Sequence, residues 1–284
     1  MIYTGMKRLI FVVSLVVCCA VASAQPFVPP SYEFAGETVF FNTSERYERM
    51  DRELLAFTYA HQNSILILKR SERYFSIIIP ILKEYGIPED LKYLMTIESN
   101  LDPSAVSSAG AAGLWQFTKG TAQTYGLEVN SNVDERYNIE KETVAACQYF
   151  KKAYDRFGNW ITVAASYNAG IAGIGNRLES QHQTNAIELW MATETTRYIY
   201  RLMAVKMLFE NPSAFGFDVK ERYPVLRVRE TVEINDSNVD LVALAEEYGL
   251  GYAELRRANM WMMDTRLTNS SRKTYKVIIP YAGQ

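Results

Sequence analysis

Ile87-Pro88-Glu89-Asp90-Leu91-Lys92-Tyr93-Leu94-Met95-Thr96-Ile97-Glu98-Ser99 opens on a proline and two carboxylates and then turns apolar. Proline suits the first helical position because its missing N–H has no intrahelical partner there, and acids in the first turn face the positive end of the helix dipole. Leu91, Leu94 or Met95 and then Glu98 recur at helical spacing, so the glutamate shares the stripe that faces a core. An anion is costly in that position. Desolvation and the negative end of the helix dipole both raise the pKa of such a carboxyl, leaving an acid able to donate near neutral pH. An isolated glutamate at a helix end more often reaches solvent or meets a lysine, so the reading of Glu98 turns on the residues C-terminal to it.

The next segment, Ser99-Asn100-Leu101-Asp102-Pro103 through Ser107-Ser108-Ala109-Gly110-Ala111-Ala112-Gly113-Leu114-Trp115-Gln116-Phe117, sets two glycines among alanines before a Trp, a Gln and a Phe. Glycine lets backbone approach backbone or ligand closely, which suits a groove floor. Ala164-Ala165-Ser166-Tyr167-Asn168-Ala169-Gly170 ends a short helix with Asn159 as its N-cap, placing a Tyr hydroxyl and an Asn amide at the exit. Glu194-Thr195-Thr196-Arg197-Tyr198-Ile199 opens another helix.

Composition narrows the class. Lys and Arg total 30 against 32 Asp and Glu, so no basic field points to nucleic acid. Lys7 and Arg8 precede the apolar run Leu9 to Val21, and Ala22-Ser23-Ala24 reads as a cleavage site, which predicts a secretory signal over 1–24 and a mature start at Gln25. Cys18 and Cys19 raise the rival reading of a lipoprotein signal, but Val17 stands where a small residue is needed, which favours plain cleavage. Cys147 is then the one cysteine left, on the stripe Val144, Cys147, Phe150, Tyr154, Phe157, where a thiol is far more often core filler than nucleophile. His61 and His182 are the two histidines and read as surface residues. No HExxH, paired-Cys or phosphate-cradling glycine motif occurs, so no metal or cofactor is called for.

With those residues in place the chain resembles the soluble-lytic-transglycosylase-like domains, and among them the membrane-bound lytic murein transglycosylase D type. The resemblance rests on Glu98-Ser99, on Gly110-Ala111-Ala112-Gly113-Leu114-Trp115-Gln116, on Ala165-Ser166-Tyr167-Asn168-Ala169-Gly170 and on Glu194-Thr195-Thr196-Arg197-Tyr198. Any one motif is weak, but all four stand in the family's order and near its spacings. It implies a lysozyme-like (goose-type) helical catalytic domain; the C-terminal βααβ order, with Leu255 before Asn259 and the ending Val277-Ile278-Ile279-Pro280, is separately similar to LysM modules, so the chain is expected to be mainly α with a small LysM-like C-terminal domain.

Along the chain, 25–85 reads as a Pro-containing linker or arm to about Tyr47 followed by N-terminal helices, in which Pro80 kinks or starts one. The catalytic domain is expected over 86–216, with helix stops at Gly126, Gly158 and the Gly170 to Gly175 cluster. A LysM-like module is expected over 223–284: Val225 to Glu230 alternates like a strand, Asp240 to Tyr248 and Tyr252 to Asn259 read as helices, and Tyr275 to Pro280 closes as a strand. Asp236-Ser237-Asn238-Val239 stands where such modules carry Gly-Asp-Thr-Leu, so a purely structural role is weighed equally with glycan binding.

The chemistry the resemblance implies needs one acid. Most glycosidases use two carboxylates, yet Glu89 and Asp90 lie at the far end of the helix and Asp102 in a turn. Glu98 would protonate the glycosidic oxygen leaving N-acetylmuramic acid (MurNAc), the substrate's acetamido group would stabilise the oxocarbenium-like centre, and Glu98 would then take the C6 hydroxyl proton as that oxygen attacks C1. By the family pattern Ser107 would bond the acetamido or peptide region, Gln116 and Tyr167 would hold sugar, and Tyr198 would reach the acid. Asn168 would fix the loop, and Trp115 would stack on sugar or, slightly favoured, pack in the core. The partner implied is the peptidoglycan glycan strand, with secretion into the periplasm and attachment to the outer membrane left open. Two alternatives stand beside it: a hydrolytic muramidase of goose-lysozyme type, and a non-catalytic cell-wall-binding protein.

Overall fold

A computed structural model describes residues 26–283, so the expected signal segment over 1–24, with Cys18 and Cys19, lies outside the described residues. Where a linker was expected, Ser31–Phe34 (β1) and Glu37–Phe40 (β2) form an antiparallel hairpin with Tyr32 opposite Val39. Its two-residue turn, Ala35-Gly36, has φ of 54° and 81°, the doubly left-handed geometry whose twist matches the flanking strands. Phe34, Val39 and Phe41 are buried in the main core, so the hairpin seals one flank of the domain rather than joining it loosely. It is also pinned to the start of the Glu98 helix. The Ala35 N–H donates to Asp90 Oδ2 at 2.8 Å, and Lys206 Nζ donates to the same oxygen at 2.7 Å and to the Glu33 carbonyl at 2.9 Å.

Ser44–Tyr59 (α1) starts behind Thr43, whose Oγ1 accepts from the Arg46 N–H at 3.2 Å. His61–Glu84 (α2) carries Pro80 inside it rather than at its start. A 3₁₀ turn, Glu89–Leu91, then leads into Lys92–Ser99 (α3), which stops where Asn100 and Leu101 adopt φ of 52° and 54°. Lys119–Thr124 (α4), Ile139–Phe157 (α5), Trp160–Ala169 (α6), Ile171–Ser180 (α7) and Thr193–Glu210 (α8) complete the helical body. Asn159 caps α6 as expected, accepting from the Thr162 N–H at 2.9 Å. Gly158 ends α5 at φ 68°, whereas Gly173 and Gly175 are not stops and lie within α7. At Gly175 a Cβ would meet the Arg156 guanidinium, so this glycine makes room for a side chain.

Helix α8 carries apolar side chains over most of its circumference from Tyr198 to Leu208 and buries them against α1, α3 and α6, leaving Arg201 exposed. Cys147 is fully buried on α5, and burial pushes its thiol up to about 12, so it is core filler.

The C-terminal module pairs Val228–Ile234 (β3) antiparallel with the last strand, and the ladder runs from Val228 opposite Pro280 to Ile234 opposite Tyr275. The expected strand over Val225 to Glu230 is therefore shifted: its pairing with the last strand starts at Val228 opposite Pro280, with one further backbone bond from the Tyr281 N–H to the Arg227 carbonyl at 3.2 Å. A short pair, Asn238–Asp240 (β4) with Arg266–Thr268 (β5), was not expected; between its strands lie Leu241–Glu247 (α9) and Tyr252–Ala258 (α10), and Tyr275–Pro280 (β6) closes the module. The chain is thus mainly helical with a small βααβ module at its C-terminal end.

Candidate active site around Glu98

Glu98 occupies the last turn of α3, partly exposed at its tip, behind a helix whose other side chains from Lys92 to Thr96 are buried. The Tyr198 hydroxyl on α8 donates to Glu98 Oε1 at 2.6 Å. Burial pushes the Glu98 pKa up to about 7, the Tyr198 bond opposes that rise, and the Glu194 carboxylate on the first turn of α8 adds to it. The carboxyl is thus poised to lose or gain a proton near neutrality, the condition for one group to serve as acid and then as base. Tyr198 and Tyr167 are both held far above the usual phenol range, first by burial and next by the charge of Glu98, so neither competes for ionisation.

Tyr167, at the end of α6, donates its hydroxyl to the Trp115 carbonyl at 2.7 Å. The loop carrying that carbonyl is tied from within. Gln116 sits at φ 53° and donates Nε2 to the carbonyls of Ala105 at 3.0 Å and Gly113 at 2.8 Å, so both its amide hydrogens are used and only Oε1 remains for a ligand. Ser107 lies exposed on the adjoining turn, its Oγ accepting the Ala111 N–H at 3.1 Å. Asn168 stands half-buried beside Tyr167 on the last turn of α6. Ser99 is buried and donates Oγ to the Met95 carbonyl at 2.9 Å, a helix-end bond rather than a substrate contact.

Of the two readings of Trp115, stacking on sugar is the one its burial excludes. The side chain has no exposed surface, packs edge-on against Phe150 and Tyr167, and donates its indole N–H to Thr143 Oγ1 at 3.0 Å, so its ring cannot meet a sugar. What the loop presents at this position is the carbonyl that Tyr167 uses.

Two acids escaped the sequence reading. Glu142 on α5 is fully buried, and its carboxylate accepts the N–H groups of Leu114 at 3.3 Å and Trp115 at 3.1 Å. Burial holds its pKa well above the carboxylate range. The available signal was its placement on one helix face with Ala145, Ala146 and Tyr149, the same argument that singled out Glu98. Glu194 carries no such signal, since it is exposed and comes near the acid only because α8 packs beside α3. Glu89, Asp90 and Asp102 stay outside the site, bonded to Lys92 at 2.6 Å, to Lys206 at 2.7 Å and to Arg70 at 3.3 Å. Among the described residues no cluster of His, Cys, Asp and Glu is arranged to hold a metal ion.

The site is thus a helical body that holds one elevated glutamate under a tyrosine hydroxyl, beside a glycine-alanine loop. Residues 76–190 match the transglycosylase SLT domain and residues 230–283 the soluble lytic transglycosylase C-terminal LysM-like domain; the chain carries both, in that order. It is homologous to membrane-bound lytic murein transglycosylase D of Escherichia coli (strain K12), at 26% identity over 245 residues, covering 84% of this chain and 52% of that protein. The chain thus spans about half the length of that relative. It is also similar to peptidoglycan transglycosylase gp16 of Escherichia phage T7, at 35% identity over 94 residues, 32% of this chain and 7% of that protein. Among solved structures, the 70 kDa soluble lytic transglycosylase Slt70 of Escherichia coli aligns over 61% of this chain and 33% of its own, with 20% identity and a TM-score of 0.41.

Proposed function

We propose that the chain is a peptidoglycan lytic transglycosylase that cleaves the β-1,4 bond between N-acetylmuramic acid and N-acetylglucosamine and leaves 1,6-anhydro ends. The observation that carries the proposal is the Glu98 carboxyl, elevated to about 7 and hydrogen-bonded by Tyr198. Protonated Glu98 gives its proton to the leaving glycosidic oxygen as the C1–O bond breaks. The substrate's acetamido group carries the positive charge at C1. The Glu98 carboxylate, now held by Tyr198, takes the proton of the C6 hydroxyl as O6 closes onto C1, which restores the acid and consumes no water. Ser107, Gln116 Oε1 and Tyr167 are the groups proposed to meet substrate, Tyr167 also bracing the loop through the Trp115 carbonyl, and Asn168 to fix the turn after α6.

One observation favours a second reading. Glu194 lies near enough for its charge to raise Glu98, and a second carboxylate could activate water for hydrolysis as in goose-type muramidases. Among the described residues no hydrogen bond or ion pair orients the exposed Glu194 carboxylate, whereas a base that activates water must be held in place, which supports the lyase reading over it.

The setting belongs to the same proposal: export directed by residues 1–24, action on glycan strands in the periplasm, with outer-membrane attachment as its further form, a catalytic unit over about 86–216 and a LysM-like module over 223–284. Digestion of peptidoglycan by the purified mature chain in ¹⁸O-water, followed by mass spectrometry of the muropeptides, tests it. Anhydro ends without solvent oxygen are expected; reducing ends carrying ¹⁸O would establish the hydrolase instead.

A further inference from the structure

The segment 128–136 belongs to both cores at once. Val133 is 1% exposed and packs in the C-terminal module's core with Leu255, Trp261 and Val277, although it precedes that module by some ninety positions in the sequence. Its backbone forms a bridge to Met262, and the Asp134 N–H donates to the Trp261 carbonyl at 2.9 Å. Around this buried seam lie more contacts. Asn132 accepts from the Thr268 N–H at 2.7 Å through Oδ1 and from the Met263 N–H at 2.9 Å through its carbonyl, while Glu128 meets Lys273 Nζ at 2.7 Å and the Tyr275 hydroxyl at 3.0 Å. A merely tethered binding module would close its core on its own residues; this one is completed by a residue of the helical body.

The same segment holds the loop beside Glu98. The Asp134 carboxylate accepts Arg136 Nε at 2.9 Å and Nη2 at 2.7 Å, a bidentate pair, and both residues are buried. Arg136 Nη1 then donates to the carbonyls of Gly110 at 2.8 Å and Phe117 at 3.1 Å, the two ends of the loop that carries Trp115 and Gln116. From Trp261 to Gly110 every step is a direct hydrogen bond.

We propose that Arg136 is a positioning residue for the Glu98 chemistry, and that the C-terminal module, by fixing Asp134, sets the geometry of loop 110–117. The module then acts on turnover through this strut, separately from any contact it makes with the wall. The fixed fork of the guanidinium is what allows one side chain to clamp a carboxylate and two carbonyls together, which a lysine cannot do. The kinetic part of the inference rests on the lytic transglycosylase reading; the mechanical part does not.

The test uses the full chain with the interface pair Asn132→Ala/Tyr275→Phe, which touches neither Glu98 nor the loop. On a soluble glycan strand, kcat is expected to fall about three- to tenfold with KM little changed, and amide hydrogen exchange in 110–117 to quicken. The alkaline limb of the pH profile should also move to lower pH, as water reaches the carboxyl that faces Tyr198, Tyr167 and Glu194. Arg136→Lys should act in the same direction and more strongly, and adding the interface pair to it should cost little more. If Arg136→Lys does not fold, the interface pair alone decides. Unchanged kcat and unchanged exchange in 110–117, in a chain whose unsubstituted form makes anhydro ends, would overturn the strut and leave the function standing. A chain that makes no anhydro ends would overturn the function, and the exchange measurement would still judge the strut.

Discussion

The Tyr198 hydroxyl donates to Glu98 Oε1 at 2.6 Å across the contact between α8 and α3, joining residues 100 positions apart. A bond to the anion opposes the rise that burial imposes, so Tyr198 holds the Glu98 pKa near 7 instead of higher. Tyr198→Phe is expected to move the alkaline limb of the rate profile upward. It should also lower kcat by roughly ten- to a hundredfold, since a hydrogen bond to a charged group is worth about 1.5–3 kcal/mol. A pH-rate profile that keeps its alkaline limb in place would remove Tyr198 from this role.

Glu98→Gln should abolish cleavage and stabilise the fold at alkaline pH. Below pH 4.5 the acid is protonated in both folded and unfolded chains and no penalty exists. Between 4.5 and about 7 the unfolded chain ionises first, so stability falls as pH rises, and above 7 the loss is complete, up to about 3 kcal/mol. Denaturant titrations of both forms at pH 5 and pH 8.5 check this, the difference between them growing with pH. Activity of the unsubstituted enzyme should fall as pH rises through 7, because the acid must start protonated.

Glu194→Gln separates lyase from hydrolase. Removing a nearby negative charge should lower the Glu98 pKa and draw the alkaline limb to lower pH, with anhydro products retained. Loss of all turnover, with Glu98 intact, would instead make Glu194 a second catalytic carboxylate.

Glu142 supports the loop rather than the reaction. Glu142→Ala leaves the N–H groups of Leu114 and Trp115 buried without an acceptor, which costs about 1–3 kcal/mol for each, whereas Glu142→Gln keeps an acceptor and loses no charge that the burial favours. Thermal unfolding should therefore show a large drop for alanine and a small change for glutamine.

Two glycines predict opposite severities. At Gly113, φ is 83° and a Cβ would overlap the Arg136 carbonyl and Glu142 Oε2, so Gly113→Ala should destabilise severely and impair turnover through the loop. At Gly175 the obstacle is the end of the Arg156 side chain, which can swing aside, so Gly175→Ala in α7 should be mild. Comparing their melting temperatures and activities decides it.

Legibility in the sequence tracks the range of the interactions involved. The helix cap at Asn159 was readable, because it is settled within a few residues by a hydrogen bond the segment makes with itself, whereas the run from Pro88 opens as a 3₁₀ turn and becomes an α-helix only at Lys92, its Asp90 held by Ala35 and Lys206 from far along the chain. The hairpin was missed because three prolines before it suggested an arm, and its stability lies in Phe34, Val39 and Phe41 meeting a core the local sequence does not contain. Strand β3 began later than its alternation implied, since a strand exists only where a partner runs beside it.

The sequence by itself determined where the candidate acid lies, on the apolar stripe of the run from Pro88 and just ahead of the glycine-alanine segment, while its raised pKa comes from burial in the packed fold. It also determined the family through four ordered motifs, the mainly helical class, and the strand-helix-helix-strand close of the chain. Only the tertiary structure decided that Tyr198 bonds Glu98, that Trp115 is core, that Glu142 and Arg136 brace the loop, and that Val133 completes the module's core. Those facts join residues far apart in the chain, and distance, burial and hydrogen-bond partners between them come into being only when the helices pack.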